Sequence, residues 1–166
     1  MFFKKLLAIT LILVGTTFGA QALTLNELER CWGAMENVSG TFHQSNADGT
    51  VSTGSYHITN PGRMSMTYRD GLVTEISGQT MRIRDPRGQT QAYPLGGMSH
   101  VFRRAANLRT GAVTHQSALQ GGGIKIRLVD TSGRVRGHSW IHFNGNCRMT
   151  RWDIDQNGQK TTTQFR

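Results

Sequence analysis

The sequence predicts a mainly β fold of the α+β class: an incomplete antiparallel β-barrel, or half-barrel, of about eleven strands with two or more helices packed over it. Three observations carry that expectation. Apolar residues recur at period two through most of the chain, turn-forming dipeptides cut it into short runs, and two stretches instead repeat their apolar residues at helical spacing.

Lys4 and Lys5 precede an apolar run from Leu6 to Val14, and Ala20, Gln21 and Ala22 supply a small-x-small cleavage pattern, so residues 1–22 read as a secretory signal peptide. The apolar run is shorter than the ~20 residues that span a bilayer. No cysteine follows the small residues, so the expected mature chain starts near Leu23, carries no lipid anchor and is released into the periplasm. Removing 22 of 166 residues leaves 144, a length suited to one domain with one core over 23–166. Without Lys4 and Lys5, 17 basic against 10 acidic side chains leave a formal charge of +7. That balance suits anionic headgroups or acidic partner proteins. The basic residues are scattered along strands instead of clustered with aromatics, which argues against a nucleic-acid platform.

The mature start reads as an amphipathic helix. Thr24 can cap it, Glu27 completes a capping box, and Leu25, Leu28, Trp32 and Met35 share one face. Strands are expected at 40–46, 50–58, 63–69, 72–77, 80–85, 89–93, 112–118, 124–130, 136–143, 147–154 and 159–165. Turns such as Asp48-Gly49, Asp70-Gly71, Asn144-Gly145 and Asn157-Gly158 separate them. Alternation is clearest where Met64, Met66 and Tyr68 oppose Arg63, Ser65, Thr67 and Arg69, giving each strand an apolar and a wet face. Between the sixth and seventh strands Met98, Val101, Phe102, Ala105 and Leu108 fall at helical spacing, predicting a second helix. So many short strands in one domain curl instead of lying flat, and the helices must bury their apolar faces on the concave side. Trp32, Met35, Val101 and Phe102 are the candidates for that contact. The shell is either filled with side chains or leaves an apolar pocket.

Cys31 and Cys147 are the only cysteines, and an even count in an oxidising compartment favours a disulfide. The alternative is two small buried residues that never meet, since sequence gives no distance. No CxxC motif or metal-ligand cysteine spacing is present. His138 and His142 share a strand face, but i and i+4 on a strand lie about 13 Å apart, too far to chelate one ion. Ser139 follows His138, yet adjacent strand residues point to opposite faces and no Gly-x-Ser-x-Gly elbow exists, so no triad is supported. Asp153 and Asp155 share a face beside the Asn157-Gly158 turn, where solvated acidic residues are common. Arg103 and Arg104 read as a solvated helix face able to touch headgroups or a partner. No cofactor and no catalytic constellation is expected.

The order of these segments, with particular residues, resembles the outer-membrane lipoprotein carrier proteins of Gram-negative bacteria. The matching stretches are Val38 to Gln44, Gly54 to Met64 running into Met66 and Tyr68, Gly78 to Asp85 with Gln89, Met149 to Asp153, and Gln156 to Phe165. No single motif is very specific; the order and spacing of many carry the resemblance. It implies helices forming a lid over an apolar cavity, and a monomeric chaperone that takes acylated lipoproteins from an inner-membrane transporter and hands them to an outer-membrane receptor. Such a carrier is physically required, because each acyl methylene left in water costs about 0.8 kcal/mol. Flexible thioethers suit varied acyl chains, so Met64, Met66 and Met81, with Tyr68 and Ile83, join Trp32, Met35, Val101 and Phe102 as cavity candidates.

Two departures stand out. Many members place a basic residue before the proline that joins two strands, where it latches the lid; here that position is Asn60, and the nearest arginine is Arg63. The chain also ends at Arg166 without the extension many relatives carry. Two other readings stay open: a periplasmic lipid- or lipoprotein-sensing domain on the same half-barrel, and a filled structural β-domain without ligand.

Overall fold

A computed structural model describes residues 30–78, 80–94, 113–129 and 137–166, apart from the side chains of residues 113–116. The strands are β1 (Val38–Ser45), β2 (Val51–Asn60), β3 (Arg63–Tyr68), β4 (Val73–Ser77), β5 (Thr80–Arg84), β6 (Thr90–Pro94), β7 (Val113–Ala118), β8 (Ile124–Val129), β9 (Gly137–Phe143), β10 (Met149–Gln156) and β11 (Gln159–Phe165). Each strand end lies within two residues of the run read from the sequence. Alternation and turn residues are local signals, which is why the strands were legible.

All eleven strands form one antiparallel sheet in the order β6-β5-β4-β3-β2-β1-β11-β10-β9-β8-β7. The first strand, β1, lies at the centre; the strands meander out to β6, resume at the opposite edge with β7, and meander back until β11 pairs with β1. The turns are built by their own side chains. Asp48, Asn60, Asp70 and Asn144 each accept a hydrogen bond from the backbone N–H two residues on, the mechanism that makes Asx residues turn formers. Edge strand β6 is short, exposed throughout and ends in Pro94, which discourages pairing with another chain.

The expected α+β class with a helical lid is corrected by this architecture. The described residues are nearly all β, the sheet is open, and helix among them is confined to residues 30–33 and a 3₁₀ turn at Gln120–Gly122. No described helix reaches seven residues, so no helical lid covers the described sheet. The predicted helix over 98–108, with Val101, Phe102, Arg103 and Arg104, and the start of the first one lie outside the described residues.

The physical reason is that much of the concave face is closed by the sheet itself. Ile124, Ile126, Leu128, Ile141 and Phe143 are at most 2% exposed. Trp32, in the helical turn before β1, plugs them, its ring edge-on to Phe143 at 5.9 Å. Cys31 and Cys147 are disulfide-bonded, with Cα atoms 4.5 Å apart, and fix this plug to the turn between β9 and β10. In the chain-entropy model a crosslink between residues 116 apart in sequence stabilises by about 5 kcal/mol.

Candidate functional site

Cross-strand register assigns each residue to a face, because directly opposed residues point the same way. The pairs Phe42↔Phe165, Gln44↔Thr163, Trp152↔Thr163 and Trp152↔Ile141 carry one face across the centre of the sheet. On the other wing Met66↔Thr74 and Thr74↔Ile83 continue it.

That face is concave. Laid flat, β6 and β10 would stand seven strand spacings apart, about 34 Å at ~4.8 Å per strand. Yet Tyr93 and Pro94 of β6 line the same cavity of about 440 Å³ as Trp152, Ile154 and Gln156 of β10. Two glycines permit the curl. A Cβ on Gly40 would overlap the Arg166 carbonyl oxygen, and one on Gly54 would overlap that of Thr67. The rings of Tyr56 and Phe42 fold over these bare positions from the directly opposed residues, the aromatic cover that bent sheets use over glycine. The two rings then stack edge-on with Phe165 and Tyr68, each pair at 4.9 Å.

The concave face therefore has two parts. Toward the disulfide it is filled. Toward the 46–50, 69–72, 85–89 and 157–158 turns the described residues leave it unfilled, lined by Met66, Tyr68, Leu72, Ile76, Met81, Ile83, Tyr93, Trp152 and Ile154, with Gln44, Thr74, Gln156, Thr161 and Thr163 among them. No described lining side chain is charged. The Gln44 carbonyl accepts from the Tyr68 hydroxyl at 3.1 Å and the Thr163 hydroxyl at 3.2 Å, while its amide donates to Asn46 at 2.6 Å. Burial raises the Tyr68 phenol above its ordinary range, against the lowering effect of its hydrogen bonding with Gln44 and Thr74. With polar wall groups satisfying one another, the cavity offers chiefly apolar surface, and its volume lies in the ~300–1,000 Å³ range of small-ligand sites. A larger groove of about 590 Å³ lies between Thr41, Thr53, Ser55, Thr67, Arg69 and Arg166 on the convex side, but it is open and hydroxyl-lined.

Of the sequence-predicted cavity residues, Met66, Tyr68, Met81 and Ile83 line the cavity together. Trp32, Met35 and Met64 belong to the filled part of the core. Val101 and Phe102 lie outside the described residues. Asn60 and Arg63 do not reach the cavity: Asn60 Oδ1 accepts from the Gly62 N–H at 2.9 Å within its turn, and exposed Arg63 lies on the convex face in a groove with Ser65, Glu75 and Arg82. Trp152, Ile154, Gln44 and the threonines of β11 were missed. Their alternation was visible, but nothing in the sequence said that β10 and β11 face β5 and β6.

The other sequence candidates resolve into structural roles. His138 opposes Asp155 on the convex face while Ser139 opposes Ile154 on the concave one. Asp153 is gripped by Arg151, whose Nε donates to both carboxylate oxygens at 3.0 and 2.9 Å, and by the Thr162 hydroxyl at 2.6 Å. Asp155 accepts from the Gly158 N–H at 3.2 Å. The imidazole of His142 stands 3.9 Å from Asp153. Burial depresses its basicity, and Lys125 and Arg151 add to this against the attraction of Asp153. Among the described residues no three metal-ligating side chains converge.

No family model matches the chain, and no curated protein matches it. Solved structures with a similar course of the backbone include an uncharacterized conserved protein from Thermus thermophilus. It is 10% identical with a TM-score of 0.45, over 84% of this chain and 83% of that one. Another is the lipoprotein LppX of Mycobacterium tuberculosis, 14% identical with a TM-score of 0.39, over 86% of this chain and 92% of that one. What this protein binds must therefore be argued from its own cavity.

Proposed function

We propose that this protein is an exported, non-enzymatic binding protein that takes an acyl-type ligand into the concave cavity, and that it serves as a periplasmic carrier of acylated lipoproteins between the inner and outer membranes. One observation supports the binding most: the curled sheet fills only part of its concave face and leaves about 440 Å³ walled by uncharged side chains. An apolar chain entering it gains about 0.8 kcal/mol per buried methylene. Met66 and Met81, with flexible thioethers, let the wall follow chains of different length. The resemblance of the ordered sequence motifs to outer-membrane lipoprotein carriers supports the delivery step.

The test has two arms. A fluorescent fatty-acyl probe should bind the purified chain and be displaced by free fatty acid, and Ile154→Trp, which projects an indole into the cavity, should weaken that binding at least tenfold while leaving the circular dichroism unchanged. Equal probe binding by the variant would overturn the cavity reading. In the second arm the protein should release a triacylated lipoprotein from inner-membrane vesicles. Failure to do so, with acyl binding intact, refutes the carrier role and leaves a lipid- or lipoprotein-sensing domain.

A further inference from the structure

The strands sort their charges onto one face. Among the described strand side chains, the concave positions carry no Lys, Arg, Asp or Glu, whereas the convex positions carry Arg63, Arg82, Arg84, Lys125, Arg127 and Arg151. Register lines some of them up: Lys125 directly opposes His142, and His142 directly opposes Arg151. Two permanent cations thus flank one imidazole from its two neighbouring strands, and the stripe is positive. The carboxylates on this face offset part of that charge, and Arg63, Arg84, Lys125 and Arg127 face none of them in register. Asp153 is buried under Arg151 and Thr162, Asp155 caps its turn, and Glu75 opposes Arg82.

We propose that this convex face binds the anionic headgroups of a phospholipid bilayer. Charge complementarity is one argument, and the absence of an apolar centre is the other. A specific protein interface is built around a desolvated aromatic or aliphatic cluster. The only large hydrophobic side chains exposed among the described residues are Val51 and Tyr93, and Tyr93 belongs to the concave cavity. Trp140, the one indole or phenyl ring among the described residues of the cationic stripe, is already covered by the Lys125 ammonium at 4.1 Å from its centroid, with the Arg127 guanidinium at 6.0 Å. That leaves no open stacking platform for nucleic-acid bases. A bilayer asks for neither feature, because its anions are dense, laterally mobile and free to gather under cations dispersed over several strands. The proposal stands whatever the concave cavity holds.

The experiment is co-sedimentation of the full chain with vesicles of phosphatidylcholine alone and with 30% phosphatidylglycerol, a composition chosen as about that of an anionic membrane. The neutral vesicles control for the apolar run at residues 6–14. Binding should be at least tenfold stronger to the anionic vesicles and should fall steeply with added salt. Lys125→Gln with Arg127→Gln should cost most of that difference. Because Lys125 packs on Trp140, a second variant, Arg82→Gln with Arg84→Gln at exposed positions, guards against loss of fold and should also weaken binding several-fold. Equal binding to neutral and anionic vesicles, insensitivity to salt, or unchanged binding by the exposed-arginine variant refutes the proposal. So does tighter capture by poly-glutamate or duplex DNA than by the anionic vesicles.

Discussion

Replacing both Cys31 and Cys147 by alanine tests how the filled part of the concave face is held. The bridge joins residues 116 apart in sequence, which corresponds to about 5 kcal/mol of unfolded-state entropy. It also anchors Trp32, fully buried beside Cys31; losing that burial alone would cost about 1.5–3 kcal/mol. The two contributions overlap, since a tethered Trp32 is part of what the crosslink achieves, so the expected loss is about 3–5 kcal/mol in total. Cys147 holds a left-handed backbone with φ of 60°. Alanine there carries the same backbone strain as cysteine, which isolates the crosslink. Urea unfolding followed by tryptophan fluorescence reads the change, and the m-value should rise because the unfolded chain is no longer looped. A loss below about 1 kcal/mol, or two reactive thiols in the oxidised native protein, refutes the reasoning.

Other consequences follow from single contacts. Gly54→Val places a side chain against the Thr67 carbonyl and within 2.8 Å of the Phe42 ring; it should cost about 3 kcal/mol or more or abolish folding, read by urea denaturation and yield of soluble protein. Burial would raise the Asp153 carboxyl, but the Thr162 hydroxyl and the Arg151 guanidinium outweigh it and hold the group below 3.8. Its stabilisation is thus present above that value and lost as pH falls through the lower folded one. Asp153→Asn should cost about 1–2 kcal/mol at neutral pH and flatten the acid limb of a stability-against-pH curve. For Tyr68, whose phenol burial raises, the sign reverses. Stability is intact below the ordinary phenol range near 10.0 and declines as pH climbs toward the raised folded value. Tyr68→Phe should remove that decline, measured as urea midpoints from about pH 9 to 11.

Much of the sheet was legible because its signals are local. Met64, Met66 and Tyr68 alternate with Arg63, Ser65 and Thr67, and Asp48, Asp70 and Asn144 write their own turns. Of the helix-like spacing at 24–35, the described residues include a single helical turn at 30–33, whose Trp32 and Cys31 serve as a plug and not as a lid. Part of the cavity was legible as well. Met66, Tyr68, Met81 and Ile83 could be placed on one apolar face. Met64 shares that face but lies in its filled part, and strand alternation cannot distinguish a wall from a core.

By itself the sequence determined where the strands run, which side of each is wet, and that cations rather than carboxylates dominate the wet side, because side-chain alternation is fixed by the pleat of the backbone. Only the tertiary structure decided where the concave face is full and where it is empty. That depends on curvature admitted at Gly40 and Gly54, on the pairing of β1 with β11, and on a disulfide that pins Trp32 into one part and not the other. These are contacts between residues distant in sequence. Curvature, summed over the eight strands from β6 to β10, brings these two across from each other, and no local pattern records it.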